Sequence, residues 1–227
     1  MKIVKSISCA ETNLDIYDGP VGIMVSGGVD SSILLYYLMK HTTDTIHIYT
    51  TGSNLKYRRN AIIAPRVVEK CIELTSNNNI VHHIYYDEAA TDSSMCDAPQ
   101  KDLDREQINR VYDGTTMNPP HEVASKFVPE FDFDYTRKDT SDNEMTYNDD
   151  KFYMPWANTN KQGIVEMYRS EGVIDSLLPI TRSCEYDPTS DYFYANTWPR
   201  WSEEIKDPQL GHCGECWWCK EREWGFK

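Results

Sequence analysis

The chain has 227 residues, of which 40% are hydrophobic, and a formal net charge of −13. This length and hydrophobic share suit one α/β domain with a small appended unit, and no apolar run is long enough to span a membrane. Such an acidic surface repels a phosphate backbone and therefore disfavours a polynucleotide substrate, although a local patch at Arg58 and Arg59 is compatible with one. The first 25 residues lack a secretory signal, so we expect a cytoplasmic protein with reduced cysteines.

The stretch from Val21 to Leu35 is the most informative part of the sequence. Its apolar start, Val21 to Val25, predicts a buried strand, and the serine and glycines that follow predict a turn into an amphipathic helix. A strand, a glycine turn and a helix start together make an anion site, because the amides of the first helical turn point at the ligand. We therefore predict a phosphate-binding loop made of Val25, Ser26, Gly27, Gly28, Val29, Asp30, Ser31 and Ser32.

The details of this loop separate it from commoner phosphate loops. No lysine lies between Ser26 and Lys40, which excludes the glycine-spaced loop closed by a Lys-Ser/Thr pair, and no third glycine follows at the spacing of the dinucleotide fingerprint. The segment Ser26-Gly-Gly-Val-Asp-Ser31 resembles the pyrophosphate loop of PP-loop ATPases, which release AMP and pyrophosphate from ATP. The resemblance implies bound ATP, and Asp30 is a candidate to cap the helix or to hold Mg²⁺ beside the phosphates.

Beyond the loop, strands and helices alternate. We predict strands at Thr45 to Thr51 and Ile80 to Tyr86, with a long helix between them from about Arg59 to Thr75 that is broken or restarted near Pro65. A polar helix is predicted from Asp102 to Val111. This order favours βαβ units and a doubly wound, mostly parallel sheet.

Ligands of such sheets bind beyond the carboxyl ends of the strands, where Ser26, Gly52 and Gly114 are expected. His82 and His83 lie within a strand pattern, which favours packing over a ligand role. Eight acidic residues against two basic ones between Glu130 and Asp150 predict a solvated, mobile loop within an acidic insert at about 120–150.

The chain ends with a cysteine motif. Cys213, Cys216 and Cys219 form C-x2-C-x2-C, and Cys184 is a plausible fourth ligand. Four thiolates make a closed structural Zn²⁺ site, although the same spacing also occurs at iron–sulfur clusters, and unligated thiols remain an alternative. The remaining cysteines form no CxxC pair and are expected to be buried reduced thiols: Cys9, Cys71 and Cys96.

Together these motifs resemble the 7-cyano-7-deazaguanine synthases. The resemblance rests on the pyrophosphate loop, on a lysine-started helix at Lys161 that leads into Thr181-Arg-Ser-Cys184, and on the C-terminal knuckle from Cys213 through Arg222 to Phe226. It implies a PP-loop (adenine nucleotide alpha hydrolase-like) fold with a C-terminal zinc knuckle. On this basis residues 1–180 form the ATP-binding domain and residues 181–227 a tetracysteine zinc-binding subdomain.

The resemblance also implies a reaction. A carboxylate of 7-carboxy-7-deazaguanine attacks the α-phosphorus of ATP, ammonia converts the acyl-adenylate to an amide, and a second ATP drives formation of the nitrile. Asp30 and Ser26 are then catalytic candidates with Lys161, a cation for the α-phosphate whose alternative role is a solvent-facing lysine. The expected partners are ATP, a small-molecule carboxylate and an ammonia donor, without a membrane, and a homodimer is compatible with this.

Two departures keep alternatives open. The chain places 28 residues between Cys184 and Cys213, and the segment Tyr112 to Pro119 lacks an arginine that the family carries after a central strand. The alternatives are a PP-loop amide ligase for another carboxylate, a PP-loop tRNA thiolase, and a non-catalytic zinc-binding interaction module.

Overall fold

The computed structural model describes residues 2–52, 60–86, 94–127, 137–184, 212 and 214–227. Within these ranges the chain is an α/β protein built on a mostly parallel six-stranded sheet, which is consistent with a PP-loop-like fold. No helix of the described ranges combines the length and the apolar character needed to cross a membrane.

The sheet has the strand order β5-β4-β3-β6-β8-β7. Its strands are β3 (Val21–Met24), β4 (Ile46–Gly52), β5 (Ile80–Tyr86), β6 (Val111–Tyr112), β7 (Thr146–Tyr147) and β8 (Phe152–Tyr153). All neighbours pair in parallel except β7, which runs antiparallel to β8 at the edge. Because β3 lies between β4 and β6, the order of strands reverses direction at the end of β3, where ligands bind in open α/β sheets.

A separate antiparallel hairpin opens the described chain. It consists of β1 (Ile3–Cys9) and β2 (Thr12–Tyr17), and its tight turn places Ala10 at φ 51°. Leu14 and Ile16 project from it into the main core. The sequence interpretation had assigned no strands to this region.

The part of the chain that the structure describes contains six α-helices: α1 (Val29–His41), α2 (Asn60–Thr75), α3 (Ser94–Asp104), α4 (His121–Ala124), α5 (Lys161–Ser170) and α6 (Trp217–Gly225). Helices α1, α2 and α5 share a core with one face of the sheet. Leu103 of α3 packs with Tyr49, Val111 and Phe152 in a second core. Helices therefore cover both faces, as predicted for a doubly wound sheet.

Two helix predictions need correction. Helix α1 is not amphipathic, because ten of its thirteen residues are buried between the sheet, the hairpin and the neighbouring helices. Helix α2 is not broken at Pro65 but runs through it, because Ile63, Ala64, Val67 and Val68 are buried on either side of the proline and their packing outweighs the backbone hydrogen bond that it removes.

Two further predictions fail in the middle of the chain. The helix predicted from Asp102 to Val111 is α3, which lies earlier and ends at Asp104, and Val111 instead belongs to β6. The acidic stretch is not a loop throughout, because β7 pairs with β8 there. The part of that stretch at 128–136 lies outside the described residues, as does the aromatic segment 185–211.

Candidate functional site

The phosphate-loop candidate lies where it was predicted, between the end of β3 and the start of α1. Gly27 has φ +82°, and a Cβ there would come within 2.7 Å of Ile63 Cγ2 and 3.0 Å of the Ala64 backbone nitrogen. Gly28 is the N-cap of α1 and donates its N–H to Ser26 Oγ at 3.2 Å. The turn therefore needs glycine at position 27. The backbone amides at the start of α1 lie next to the hydroxyl of Ser26.

Asp30 has a different role from the helix cap that was suggested for it. The cap of α1 has no side-chain hydrogen bond, and Asp30 Oδ2 instead accepts from Lys161 Nζ at 2.5 Å. Asp30 Oδ1 is buried and has no hydrogen-bond partner among the residues that the structure describes. A buried carboxylate oxygen without a partner is costly, so the position fits a hard cation such as Mg²⁺, for which carboxylates are natural ligands.

Lys161 is buried, with 3% of its surface exposed, so it is not the solvent-facing lysine of the alternative interpretation. It opens α5, where the Asn160 side chain caps the helix by accepting from the amides of Gln162 and Gly163. Besides Asp30, its ammonium lies 3.7 Å from Glu221 Oε2. One cation thus stands between two carboxylates at the start of a well-capped helix.

Glu221 extends this network into the C-terminal helix α6. It is 1% exposed and accepts from Arg137 Nη2 at 2.5 Å. Burial alone raises the pKa of Glu221, but Arg137 and Lys161 outweigh burial and hold the pKa below its ordinary value. The carboxylate is therefore ionised at neutral pH and keeps both cations in place.

Arg137 contacts the segment from Tyr112 to Pro119, which has no arginine of its own. It donates to the backbone oxygens of Thr116 and Met117 as well as to Glu221. The loop after β6 is therefore fastened to α6 by a residue from a distant part of the chain, which the sequence interpretation had assigned to a solvated loop.

A cavity of about 380 Å³ opens at the carboxyl ends of β3, β4 and β6. Its lining includes the phosphate-loop candidates Val25, Ser26, Gly28, Asp30 and Ser31 together with Met24, Tyr49, Thr51, Asn60, Met95, Cys96, Asp113, Gly114, Thr115 and Tyr147. Gly114 approaches so closely that a Cβ there would lie 2.9 Å from the backbone nitrogen of Ser31. Ser26 and Gly114 thus line the cavity as predicted, and Thr51 lines it in place of Gly52.

Asp113 is an acid in this cavity that the sequence interpretation missed. Its Oδ1 accepts from the amide and hydroxyl of Thr115, each at 2.9 Å, and its Oδ2 accepts from Tyr147 OH at 3.1 Å. Burial raises the pKa of Asp113, whereas the hydrogen bonds from Thr115 and Tyr147 lower it. The effect of burial is the larger one, so the pKa lies above its ordinary value. The cavity therefore contains a second carboxylate, with an affinity for protons above that of an ordinary aspartate.

The cysteines outside the motif behave as predicted in two cases of three. Cys9 and Cys71 are fully buried, and burial raises the pKa of the Cys9 thiol to about 11 and that of Cys71 to about 12. Cys96 is only half-buried and lines the cavity, where its sulfur lies 3.9 Å from Tyr147 OH. It is therefore not the buried core thiol that was expected.

Three of the four proposed metal ligands come together. Cys184, Cys216 and Cys219 are buried with their sulfurs all within 4.8 Å of one another, and Cys184 Sγ lies 3.9 Å from Cys216 Sγ. Zinc–sulfur bonds of about 2.3 Å at a tetrahedral angle put sulfurs about 3.8 Å apart, so the spacing fits zinc. Cys213 lies outside the described residues, and His212 Nδ1 lies 3.8 Å from Cys219 Sγ.

The cysteine cluster and the phosphate loop are joined by short contacts. The backbone N–H of Arg182 donates to Gly27 O at 2.9 Å, two residues before Cys184. Arg222 of α6 donates to Thr181 Oγ1 at 2.8 Å and to Leu178 O at 3.0 Å. Gly225 lies against Lys161, since a Cβ at residue 225 would be 2.9 Å from the Lys161 carbonyl oxygen. Helix α6 thus supports Lys161, and the Cys184 segment supports the loop.

Comparison with known proteins supports the general class of this site. A family model described as asparagine synthase matches residues 12–79, a range that contains the phosphate-loop candidate and is well under half of the chain. That family is related to the PP-loop ATPases, and the match indicates ATP-dependent adenylation or amidation in general. No curated protein matches the chain.

Proposed function

We propose that the chain is an ATP-dependent carbon–nitrogen ligase that adenylates a carboxylate and releases AMP and pyrophosphate. The observation that carries the proposal is the Ser26–Ser32 loop at the carboxyl end of β3, which opens onto the 380 Å³ cavity with Lys161 and Asp30 paired beside it. Helix and loop amides suit a pyrophosphate leaving group, because they are fixed in place before charge develops on it.

In the proposed reaction Ser26, Gly28 and Ser31 contact the phosphates from the loop. Bound ATP adds negative charge beside Asp30, so Lys161 exchanges part of its contact with Asp30 for a phosphate oxygen. Mg²⁺, held at Asp30 by the otherwise unpartnered Oδ1, would supply charge neutralisation for the phosphates. The carboxylate substrate attacks the α-phosphorus from the Asp113 side of the cavity, and an amine or ammonia then displaces AMP.

The substrate we propose is 7-carboxy-7-deazaguanine, with ammonia as the nitrogen source and the nitrile as the final product. A small planar base suits the apolar and aromatic part of the cavity wall, which is made by Met24, Tyr49, Met95 and Tyr147. It also suits the acidic charge of the chain better than a polynucleotide does.

We further propose that Zn²⁺ binds Cys184, Cys216, Cys219 and Cys213 and has a structural role, because four thiolates leave no open coordination position. This corresponds to an ATP-binding domain at 1–180 and a zinc-binding subdomain at 181–227. The contacts of α6 with Lys161 give that subdomain a defined task, which is to hold the buried cation at the phosphate loop.

A second candidate is an amide ligase for another carboxylate. It is favoured by the asparagine synthase match and by the binding of Arg137 to Glu221 and to backbone oxygens. An arginine occupied in this way is poorly placed to recognise a base.

The test is ATP turnover by the purified chain against a panel of carboxylates that includes 7-carboxy-7-deazaguanine, with ammonia present. We expect AMP and pyrophosphate to form, not ADP, and mass spectrometry to show loss of the acid followed by amide and nitrile. Stimulation by another carboxylate alone would support the amide ligase. Sulfur transfer to tRNA would support a thiolase, and absence of ATP turnover with every substrate would support a non-catalytic module.

A further inference from the structure

Three potential metal ligands meet on the α3 side of the sheet, apart from the cysteine cluster. They are His47 from β4, His83 from β5 and Asp102 from α3, and their ligand atoms all lie within 4.8 Å of one another. We propose that these three side chains bind a divalent transition-metal ion of the zinc type. This inference does not depend on the proposed ligase activity.

The spacing of the two imidazoles is that of ligands on one metal ion. His47 Nδ1 lies 3.3 Å from His83 Nε2. Zinc–nitrogen bonds of about 2.0–2.1 Å at a tetrahedral angle put two ring nitrogens about 3.3 Å apart. Two imidazoles and a carboxylate are a common ligand set for zinc, and a fourth position would remain for water.

The third candidate ligand is the carboxylate of Asp102. A carboxylate oxygen of Asp102 lies within 4.8 Å of a ring nitrogen of each histidine, whereas two ligands of one zinc ion are about 3.3 Å apart, so Asp102 can reach the ion with a shift of at most about 1.5 Å. Asp102 is 8% exposed, and among the described residues no lysine or arginine pairs with it. A cation would therefore compensate a carboxylate that is otherwise buried without one.

The ligands are already oriented by their neighbours. Tyr49 OH donates to Asp102 Oδ2 at 2.6 Å, which fixes the carboxylate on one side. The rings of His47 and His83 are nearly parallel, with centroids 5.5 Å apart and an interplanar angle of 15°, and the Tyr49 ring is nearly parallel to His83 with centroids 5.1 Å apart. Hydrogen bonds to a ligating carboxylate and fixed imidazole rings are typical of protein metal sites.

Such an ion would connect three elements near the cavity. It would tie α3 to β4 and β5, and Tyr49, which holds Asp102, is itself part of the cavity wall. We therefore expect metal binding to stabilise the docking of α3 and to restrict the Tyr49 ring. The competing explanation is a hydrogen bond between the two imidazoles that binds no metal.

The experiment compares zinc content in the full chain after dialysis against Zn²⁺ for the wild type, His83→Gln and Asp102→Asn. The matched control is His82→Gln, because His82 lies on the opposite face of β5, with Nε2 2.9 Å from Thr50 Oγ1. We expect His83→Gln and Asp102→Asn each to hold about one zinc fewer per chain than the wild type, and His82→Gln to hold as many as the wild type. This difference does not depend on whether the cysteine cluster is loaded.

A second experiment uses only the wild type, so its outcome does not depend on whether the variants fold. The wild type is titrated with Co²⁺ and its visible absorption spectrum is recorded. We expect a cobalt ion with weak visible bands and no sulfur-to-cobalt charge-transfer absorption, in addition to any ion bound by thiolates. Equal zinc in the wild type, His83→Gln and Asp102→Asn, or cobalt spectra that show sulfur ligation alone, would overturn the proposal.

Discussion

Lys161 Nζ lies 2.5 Å from Asp30 Oδ2, so a residue at the start of α5 is paired with the first turn of α1, 131 positions earlier in the chain. The same ammonium is 3.7 Å from Glu221 of α6. The cation that we assign to the phosphates is therefore held by two carboxylates before nucleotide binds, and its position depends on the C-terminal helix.

Lys161→Met should destabilise the fold as well as the reaction. Removing one member of a buried ion pair leaves uncompensated charge, here at Asp30, and typically costs about 3–5 kcal/mol, whereas Glu221 keeps its pairing with Arg137. Urea unfolding measures the stability and AMP release measures the activity. Lys70→Met is the control, because Lys70 pairs with the exposed Glu73 and the change should cost less than about 1 kcal/mol. Equal stability of the two variants would contradict a buried network.

Glu221→Gln should weaken the fold in a pH-dependent way, whereas Glu223→Gln on the exposed side of α6 should not. The pKa of Glu221 is lowered in the folded chain from 4.5, so its charge stabilises the fold above pH 4.5 and that contribution is lost as pH falls through the lowered pKa. The stability difference between wild type and Glu221→Gln should therefore narrow in acid. A constant difference from pH 7 to the acid limit would contradict this role.

The sequence predicts the elements that local pattern defines. The apolar run at Val21, the glycine turn and the alternating strand at Ile80 each specify their structure within a few residues, and the structure contains β3, α1 and β5 there. Strands β6, β7 and β8 have two residues each, too few for any periodicity to be visible. Their existence depends on pairing between distant segments.

Some residues of the candidate site could be predicted from the sequence, and others could not. Ser26 and Asp30 belong to one contiguous motif and could be recognised from it. Asp113, Tyr147 and Glu221 lie in segments with no common pattern, and only the fold brings them to the cavity or to Lys161. Burial of Lys161 could not be predicted either, because a lysine in the first turn of a helix is ordinarily solvated.

Asp30→Asn and Ser26→Ala should each reduce ATP turnover by about a hundredfold or more, since each removes a preorganised contact to charge that develops in the reaction. Ser26→Ala should leave the stability of the fold unchanged, whereas Asp30→Asn should also lower it, because that change breaks the ion pair with Lys161. Asp175→Asn is the control, because Asp175 is exposed on a loop beyond α5. Steady-state AMP release and thermal unfolding separate activity from stability. Normal turnover by both loop variants would show that the loop is only a structural turn.

Cys216→Ser should release the metal and lower activity together. The sulfur of Cys216 lies in the cluster with Cys184 and also caps α6 by accepting from the Cys219 amide, so its loss loosens the helix that carries Glu221 and Gly225 to Lys161. Cys96→Ser, outside the cluster, should keep its metal. Metal content, the visible absorption spectrum and AMP release are the measurements, and absorbance near about 400 nm would indicate an iron–sulfur cluster in place of zinc.

The last prediction concerns the carboxylate of Asp113. Because burial raises its pKa above 3.8 in the folded chain, the folded state binds the proton more tightly than the unfolded state does. The stabilising contribution of the protonated acid is present below pH 3.8 and is lost as pH rises through the raised pKa. Asp113→Asn has no such titration, so the stability of the wild type relative to this variant should fall as pH rises through that range.

Tyr147→Phe sharpens the test, because the Tyr147 hydroxyl donates to Asp113 Oδ2 and lowers the pKa of that carboxyl. Without this donor the pKa of Asp113 should rise further, and the loss of stability should shift to higher pH. Chemical denaturation at a series of pH values measures both effects, with Asp175→Asn as an exposed control. A pH profile of Asp113→Asn parallel to that of the wild type would show that the carboxyl titrates as an ordinary aspartate and has no special role in the cavity.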